Sequence, residues 1–426
     1  MDIRGKKLLI LGGNRISCEI IKAAKKLGVY VVVTDYLENS PGKKIADESY
    51  MISTTDVEGV VNLIKCEQID GILTGFIDSM LLYYNEISKK AGIPCYGTYE
   101  QFQIATDKQK FKRYCRRFDI PVVDEYHIEF PFIRKDLERI EYPVLIKPVD
   151  NSGARGIFIC NNADELMEKY PVSISFSKTK QVIIERYMIS EEVTIFYLIQ
   201  NGDIVLSSMA DRHVKNSQGG TIPLPVAYTF PSKWLIKYQN DTNNKVVEMF
   251  KSMGLKNGMV FIQSFIEDSK CIFYEMGFRL TGSLEFKIIE KLNGLNPMEM
   301  MINHALTGKM CDQDIKSIIN PNYSKFGFNI TFLARPGQID KIDGIEDVKV
   351  LDNVIDVVMA YDKGETILDD AQGTLKQVII RVLGVADTNS EMIDLMDRVH
   401  GLIHVYSEDG EDMLLDVLDT TSLRNG

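Results

Sequence analysis

Residues 1–105 alternate between short apolar runs and segments whose apolar residues recur every three or four positions. The short runs predict buried strands, and the recurring pattern predicts helices that each bury one face. We predict strands at residues 8–11, 29–34, 71–74 and 93–96. Because strands alternating with helices are typical of a doubly wound parallel sheet, the chain is predicted to begin with an α/β domain.

A glycine turn at Gly12 and Gly13 follows the first predicted strand, and Asp35 ends the second. This order suggests a dinucleotide site. The turn lacks the G-x-G-x-x-G spacing that lets a pyrophosphate approach the following helix. A sheet whose first turn simply needs glycine is the stronger interpretation, and NAD binding is the weaker one.

The stretch 141–160 reads as strand, glycine-containing loop, strand. Its first apolar run ends on Lys147, and small residues at 152, 153 and 156 would let backbone N–H groups approach an anion. No G-x-x-x-x-G-K-[ST] motif is present, so this is not a P-loop. The stretch indicates a phosphate site beside Lys147, with a solvated hairpin as the alternative.

Further cations and acids flank this stretch. A helix predicted to begin at Thr106 or Asp107 carries Lys108, which would be a second cation for a polyphosphate unless the helix is merely a solvated surface. Two predicted strands place Glu185 and Glu192 seven residues apart. Their carboxylates are either ordinary surface acids or acceptors for the two ends of a nucleoside.

The second half adds two more polar groups. Arg212, His213 and Lys215 adjoin a loop rich in glycine and proline, which suits anion capture or a solvated loop. Glu275, Arg279 and Glu285 follow a predicted hairpin. From about residue 324 the pattern is strand-rich and lacks a catalytic cluster, which predicts a small α+β domain.

Composition narrows the functional classes. A net charge of −11 argues against a broad nucleic-acid surface, which needs clustered Lys and Arg. The seven cysteines are scattered singly, so neither zinc nor a disulfide framework is indicated. No run approaches the ~18 apolar residues of a membrane span. We therefore expect a cytoplasmic protein that binds neither nucleic acid nor a membrane.

Five motifs follow one another along the chain: T-D-K at 106–108, Y-P-V-L-I-K at 142–147, E-R-Y-M at 185–188, R-H-V-K at 212–215 and Y-E-M-G-F-R at 274–279. Their order resembles the ATP-grasp superfamily, in particular biotin carboxylase, carbamoyl phosphate synthetase and L-amino acid ligases. The resemblance implies a pre-ATP-grasp domain at 1–105, an ATP-grasp clamp at 106–320 and a carboxylase-like α+β domain at 321–426. The clamp would have a small lobe at about 115–188 and a large lobe from about 189.

The resemblance also implies roles for individual residues. The expected nucleotide-binding residues are Lys108, Lys147, Ser152, Gly153, Gly156, Glu185, Arg186, Met188 and Glu192. Within this set, Glu185 and the backbone of Arg186 and Met188 would bind adenine, and Glu192 would bind ribose. Arg279 and Lys215, with His213 as a further candidate, would contact the transferring phosphoryl group. Glu275 and Gln263 would hold Mg²⁺, with Mn²⁺ as an alternative metal.

Two positions depart from the family pattern on the metal strands. Gln263 stands where an acid is usual, and Gly277 stands where an asparagine is usual. An amide oxygen can still bind magnesium, whereas glycine offers no side chain. Glu285 is an alternative acid for the metal.

The implied activity is an ATP-dependent carboxylate–amine ligase that forms an acyl phosphate and releases ADP and phosphate. Its partners would be ATP, an amino acid or another small acid, and an amine, and the resemblance favours a homodimer. A bicarbonate-using carboxylase or carbamoyl-phosphate-type enzyme is the second interpretation. The departures at 263 and 277 motivate a third, an ATP-binding protein without turnover.

Overall fold

A computed structural model describes residues 2–128, 130–150, 156–215 and 222–424. The N-terminal part is a parallel sheet of strands in the order β3-β2-β1-β4, which confirms the predicted α/β class. Its strands are β1 Lys7–Leu11, β2 Tyr30–Thr34, β3 Glu48–Tyr50 and β4 Gly71–Leu73. Its helices are α1 Ser17–Lys26, α2 Pro41–Ile45, α3 Val57–Glu67, the 3₁₀ turn Asp78–Met80 and α4 Leu81–Ala91.

Two details of this part differ from the sequence-based prediction. The strand predicted at residues 93–96 is wrong, because the segment forms no strand. Pro94 cannot donate to a sheet ladder, and Tyr96 is held instead by edge-on ring contacts with Phe102 and Phe278. The pattern also missed β3, a three-residue edge strand without an apolar run.

Helices α5 Tyr99–Thr106 and α6 Lys108–Arg117 lead into the middle of the chain. The predicted cap of α6 is confirmed, since the Asp107 side chain accepts a hydrogen bond of 3.0 Å from the backbone N–H of Lys110. A small antiparallel sheet then follows in the order β6-β5-β7. Its elements are β5 Val144–Pro148, β6 Phe158–Cys160 and β7 Val182–Arg186, with α7 Arg134–Leu137 and α8 Ala163–Ser175.

The strand–loop–strand prediction for residues 141–160 is confirmed, because β5 pairs with β6 from Val144 opposite Cys160. Ser152 and Gly153 lie outside the described residues. Gly156 has a φ of +75°, and a Cβ there would meet the Phe176 ring at 2.9 Å. Only glycine fits this position without strain.

The rest of the chain is organised by an antiparallel sheet in the order β12-β11-β8-β9-β10-β13-β17-β15. Its strands are β8 Glu192–Gln200, β9 Asp203–Lys215, β10 Leu224–Phe230, β11 Gly258–Glu267, β12 Lys270–Gly277, β13 Phe326–Leu333, β15 Val354–Met359 and β17 Val378–Ala386. A second small sheet contains β14 Gly337–Asp343, β16 Thr366–Ile367 and β18 His404–Ser407. The large sheet runs continuously across the expected boundary between residues 320 and 321.

The remaining helices pack around these sheets. They are α9 Leu235–Asp241, α10 Asn243–Ser252, α11 Phe286–Asn293, α12 Pro297–Thr307, α13 Ile315–Ile318, α14 Ile345–Lys349, α15 Asn389–Leu402 and α16 Thr421–Arg424, with 3₁₀ turns at Asp369–Ala371 and Leu375–Gln377. Within the described ranges, no helix combines the length and the apolar character that a bilayer crossing needs.

The large sheet has two faces of different character. Residues directly opposite on neighbouring strands share a face, as do alternate residues of one strand. The front face carries a polar row: Glu275, Gln263, Thr194, Glu192, Arg212, Tyr228, Asn329, Thr331 and Arg381. The rear face carries Asp211, His213 and Thr229, followed by an apolar half that α15 covers.

Candidate active site

Lys147 lies on the small sheet in a buried network with a carboxylate. Its Nζ donates to Glu185 Oε1, and Lys112 Nζ donates to Glu185 Oε2 at 2.6 Å. Lys112 also reaches the Val123 carbonyl at 3.1 Å and pairs with Glu125 at 3.1 Å. The register that sets Leu145 opposite Glu185 brings these side chains together between β5 and β7. The network fixes Lys147 at the end of its strand.

Burial sets the pKa of both partners. Desolvation lowers the pKa of Lys147, and the nearby Lys112 and Lys108 ammonium groups lower it further, against the opposing effect of Glu185. Burial alone would raise the pKa of Glu185, but Lys147 and Lys112 outweigh it, so the pKa is lowered. Glu185 therefore stays ionised and keeps Lys147 in place. A polyphosphate could share Lys147 because an ammonium group has three donors.

Lys108, at the start of α6, connects the small sheet to the large one. Its Nζ lies 3.6 Å from Glu275 Oε1, and its backbone N–H reaches the Val149 carbonyl at 3.4 Å. Lys147 Nζ lies 5.9 Å from the centre of the Tyr274 ring on β12. We call Lys108, Lys112 and Lys147 the cationic cluster. It stands against the first strand of the front face.

The predicted metal residues lie together. Gln263 on β11 is directly opposite Glu275 on β12, so the amide and the carboxylate share the front face. The Glu275 side chain is 30% exposed, which leaves it accessible to a ligand. No group of three or more His, Cys, Asp or Glu side chains is placed to hold a metal ion in the described ranges. A metal here would rely on Glu275, Gln263 and non-protein oxygens.

Glu192 and Arg212 continue the polar row. The Arg212 guanidinium donates through Nη1 to Glu192 Oε2, and the Tyr274 hydroxyl donates to the same oxygen at 3.0 Å. Both side chains are nearly buried. The two bonds hold one oxygen of Glu192 on the face that also carries Glu275.

Arg279 is fixed by Asp78, the first residue of the 3₁₀ turn that follows β4 in the N-terminal part. Its Nε donates to Asp78 at 2.7 Å, its Nη2 donates to the second Asp78 oxygen, and its Nη1 reaches the Leu280 carbonyl at 2.8 Å. Burial alone would lower the pKa of Arg279, but Asp78 outweighs it and the pKa is raised. Arg279 therefore remains charged where the N-terminal part meets the metal strand.

The expected hinge between the lobes is held by an ion pair. Both Nη atoms of Arg186 bond to Glu267, at 2.8 and 2.7 Å, and Nη2 lies 3.5 Å from the sulfur of Met188. The Arg186 N–H also reaches the Asp124 carbonyl at 3.0 Å. These contacts connect β7 to β11, but the adenine and ribose roles of residues 185–192 stay predictions.

The structure does not place Lys215 beside the other predicted site residues. It ends β9 on the rear face, two residues after His213, and lies near His400 of α15, whose pKa burial lowers to about 4 with a further contribution from Lys215. His213 bonds to Thr229 at 2.8 Å on the same face. The phosphoryl-transfer roles of Lys215 and His213 stay predictions.

Sequence reasoning missed several residues of this arrangement. Lys112 could have been found, because it stands four residues after Lys108 and shares its helix face. Asp78 gave no signal, since its partner Arg279 lies 201 residues away. Arg381, at the far end of the polar row, lies in a segment whose pattern showed only strands.

A cavity of about 670 Å³ is lined by rear-face residues of the large sheet and also reaches Glu192 and Arg212. Its walls include Asp211, His213, Lys233, Met392 and Leu418. Its charged groups are paired: Asp211 accepts from Ser232 at 2.5 Å, and Lys233 pairs with Glu191 at 2.6 Å. The cationic cluster lies outside its walls.

Comparison with known proteins confirms the predicted resemblance. Residues 140–285 match the family model described as ATP-grasp domain. Formate-dependent phosphoribosylglycinamide formyltransferase of Sulfurisphaera tokodaii is 28% identical over 228 residues, which cover 50% of this chain and 55% of that protein. The carbamoyl phosphate synthase large chain of Clostridium botulinum is 24% identical, over 62% of this chain and 26% of that protein. The chain thus spans about half, or less, of the length of these relatives.

Solved structures agree in fold over almost the whole chain. The L-amino acid ligase of Bacillus licheniformis superposes with a TM-score of 0.75 at 19% identity, covering 95% of this chain and 99% of that one. The biotin carboxylase domain of the Hydrogenobacter thermophilus 2-oxoglutarate carboxylase, a dimer in complex with MgADP and bicarbonate, gives a TM-score of 0.77 at 19% identity over 96% and 91%.

Proposed function

The chain contains an ATP-grasp domain at residues 140–285, and we propose that it is an ATP-dependent carboxylate–amine ligase that releases ADP and phosphate. The observation that carries this proposal is the cationic cluster set against Glu275 and Gln263. Lysines facing a carboxylate–amide pair suit a polyphosphate and its metal. The match of residues 140–285 to the ATP-grasp domain supports ATP as the nucleotide, and the opposed lysines and Glu275 support the proposed phosphate site.

We assign the phosphates to Lys108 and Lys147, and we propose Ser152, Gly153 and Gly156 as further nucleotide-binding residues. Glu185 and the backbone of Arg186 and Met188 are proposed for adenine, and Glu192 for ribose. Glu185 also orients Lys147, since both of its oxygens accept from lysines. Arg279, kept charged by Asp78, is proposed to stabilise the phosphoryl group in transfer.

Glu275 and Gln263 fit a magnesium or manganese ion. Mg²⁺ usually takes one or two carboxylates and completes its shell with phosphate oxygens and water, so one carboxylate and one amide oxygen suffice. The bound ion would neutralise charge on the polyphosphate. Glu275 would orient it, and Lys108, 3.6 Å from Glu275, would hold the phosphates beside it.

The proposed chemistry needs positioning more than covalent catalysis. A carboxylate oxygen of the acid attacks the γ-phosphorus of ATP, ADP leaves, and an acyl phosphate forms. The amine, after losing a proton, attacks the acyl carbon, so a C–N bond forms as the C–O bond to phosphate breaks. Buried cations hold the anions together and stabilise the charge that develops.

The acid is proposed to be an amino acid or another small acid, and the chain is proposed to form a homodimer. Light scattering coupled to gel filtration tests the oligomeric state, and a monomer mass would contradict the dimer.

A coupled ADP-release screen over pairs of acids and amines tests the activity. ADP release that requires both substrates, and that Lys147→Ala and Glu275→Ala abolish, is the expected result. Lys233→Ala is the matched control, since its lysine pairs with Glu191 on the rear side. Bicarbonate-dependent release without an organic acid would favour the carboxylase interpretation. ATP binding without turnover across the screen would favour the non-catalytic one.

A further inference from the structure

The front face holds a second set of charged groups at the end remote from Glu275. Arg381 on β17 is 9% exposed, Glu285 before α11 is fully buried, and Asn329 on β13 is fully buried. Each keeps unused hydrogen-bonding capacity: Glu285 Oε1 and Asn329 Oδ1 find no partner among the described residues. Arg381 has one described hydrogen bond, from Nη1 to Thr331 Oγ1 at 2.5 Å. We call these three residues the Arg381 site.

Local contacts bring the three side chains together. Asn329 Nδ2 donates to the Ser283 carbonyl, which holds the loop before α11 over β13. Thr281 donates to Glu285 Oε2 and leaves Oε1 as the unpaired oxygen. Thr331, two residues after Asn329, is opposite Arg381 in the strand register. The guanidinium and the unpaired acceptors therefore lie near the contact between this loop and strands β13 and β17.

Arg381 and Glu285 are near each other without forming an ion pair. Burial lowers the pKa of Arg381, and the Tyr228 hydroxyl and the Glu285 carboxylate oppose this effect from nearby. Two opposite charges that are buried and near each other, without an ion pair between them, suit a ligand that bears both charges. Buried polar groups without partners are rare in folded proteins, because their desolvation is not offset by a hydrogen bond.

The rear cavity differs in this respect. Its acids and its lysine are already paired, through Ser232 to Asp211 and through Lys233 to Glu191. A zwitterion entering that cavity would have to break existing pairs. At the Arg381 site it would meet a guanidinium that forms no ion pair among the described residues and a carboxylate with one unpaired oxygen.

We propose that the Arg381 site binds one substrate of the ligase and that this substrate is an α-amino acid. Its carboxylate is held by the Arg381 guanidinium, and its ammonium group is held by Glu285 Oε1 and Asn329 Oδ1. The inference rests on the proposed function for calling the ligand a substrate. The recognition itself rests on Arg381, Glu285 and Asn329 alone. Guanidinium groups match carboxylates in geometry, and an ammonium group donates to both acceptors.

Binding is tested by thermal shift with the proteinogenic L-amino acids, in the presence of MgADP. The best ligand is then compared by calorimetry with its decarboxylated amine and its N-acetyl derivative. We expect each derivative to bind about ten- to hundredfold more weakly, because each leaves one buried charged group unpaired. No shift with any amino acid, or equal affinity for all three forms, would overturn the proposal.

Variants locate the binding. Arg381→Met and Glu285→Gln should each lower the affinity for the amino acid about ten- to hundredfold. Neither substitution should change the affinity for ADP. Arg381→Lys keeps the positive charge, so it can replace Arg381→Met in the test if that variant does not fold. Lys376→Met, which removes an exposed cation of the same part of the chain, is the matched control. Unchanged amino-acid affinity in both Arg381 variants would overturn the assignment.

The binding experiments and the ADP-release screen can distinguish failure of the Arg381 site from failure of the ligase proposal. Amino-acid binding that depends on Arg381, without any ADP release, would retain the site and refute the ligase. ADP release from acid and amine pairs in which no amino acid takes part would retain the ligase and refute the site.

Discussion

Both faces of the large sheet carry acidic and basic side chains, but the two faces differ in how completely these side chains are paired. On the front face, Glu275 is part-exposed, and Glu285 and Asn329 each keep one oxygen without a partner among the described residues. On the rear face, beside the cavity of about 670 Å³, Asp211 is already bonded and Lys233 is already paired. We therefore base the proposed sites on incompletely paired polar groups of the front face and not on cavity volume.

The largest expected effect is on the cationic cluster. Lys147→Met should lower kcat/KM for ATP about a hundred- to thousandfold, the usual cost of losing one preorganised donor to a developing charge. The coupled ADP assay measures it. Lys233→Met should stay close to the parent enzyme, and an equal loss in that variant would remove the contrast between the faces.

A smaller effect is expected at the metal pair. Glu275→Gln should weaken Mg²⁺ binding about ten- to hundredfold, and Gln263→Glu should strengthen it by restoring a second carboxylate. Titration of Mg²⁺ against ADP-bound protein measures both changes. If Gln263→Glu lowered the affinity for Mg²⁺, Gln263 and Glu275 would not be ligands of the same ion.

His213 on the rear face should make the free energy of unfolding depend on pH. Burial lowers the pKa of His213 to about 4, with Lys233 adding to the effect and Glu191 opposing it. The unfolded chain takes up this proton near pH 6.5, whereas the folded chain stays neutral until about pH 4. The free energy of unfolding should therefore fall as pH drops through this window.

Between about pH 7 and about pH 4.5, urea unfolding should show a loss of stability to which His213 contributes on the order of 2 kcal/mol, and His213→Asn should remove that contribution. His404→Asn, which alters an exposed histidine paired with Asp412, is the matched control. An identical pH profile for His213→Asn and the parent protein would contradict the assignment of a neutral, buried His213.

The smallest effect is expected at Lys215, where sequence and structure point in different directions. Its rear-face position beside α15 predicts that Lys215→Met lowers kcat less than about tenfold, because the lysine is remote from the phosphates. A loss matching that of Lys147→Met would restore the sequence-based role and break the division into two faces.

Local signals made much of the front face predictable. The apolar strand that carries Lys147 and the capped helix that starts at Lys108 can each be predicted from residues adjacent in sequence. The structure confirms both elements. A hairpin before Arg279 was also predicted, and in the structure it sets Gln263 opposite Glu275. The α/β class of the N-terminal sheet followed from hydrophobic periodicity.

Long-range partners were not predictable from the sequence. Asp78 meets Arg279 across 201 residues, and Lys287 on α11 bonds to Glu19 across 268. Periodicity describes one element at a time, so it cannot show which loop closes over which strand. The Arg381 site depends on such a closure, between the loop before α11 and strands β13 and β17.

The central claim is that the acid is activated as an acyl phosphate. The direct measurement uses an acid labelled with ¹⁸O in its carboxylate, together with ATP and the amine found in the screen. We predict that the released phosphate carries one ¹⁸O atom from the acid and that the nucleotide product is unlabelled ADP. Unlabelled phosphate, or ¹⁸O in AMP, would contradict the account.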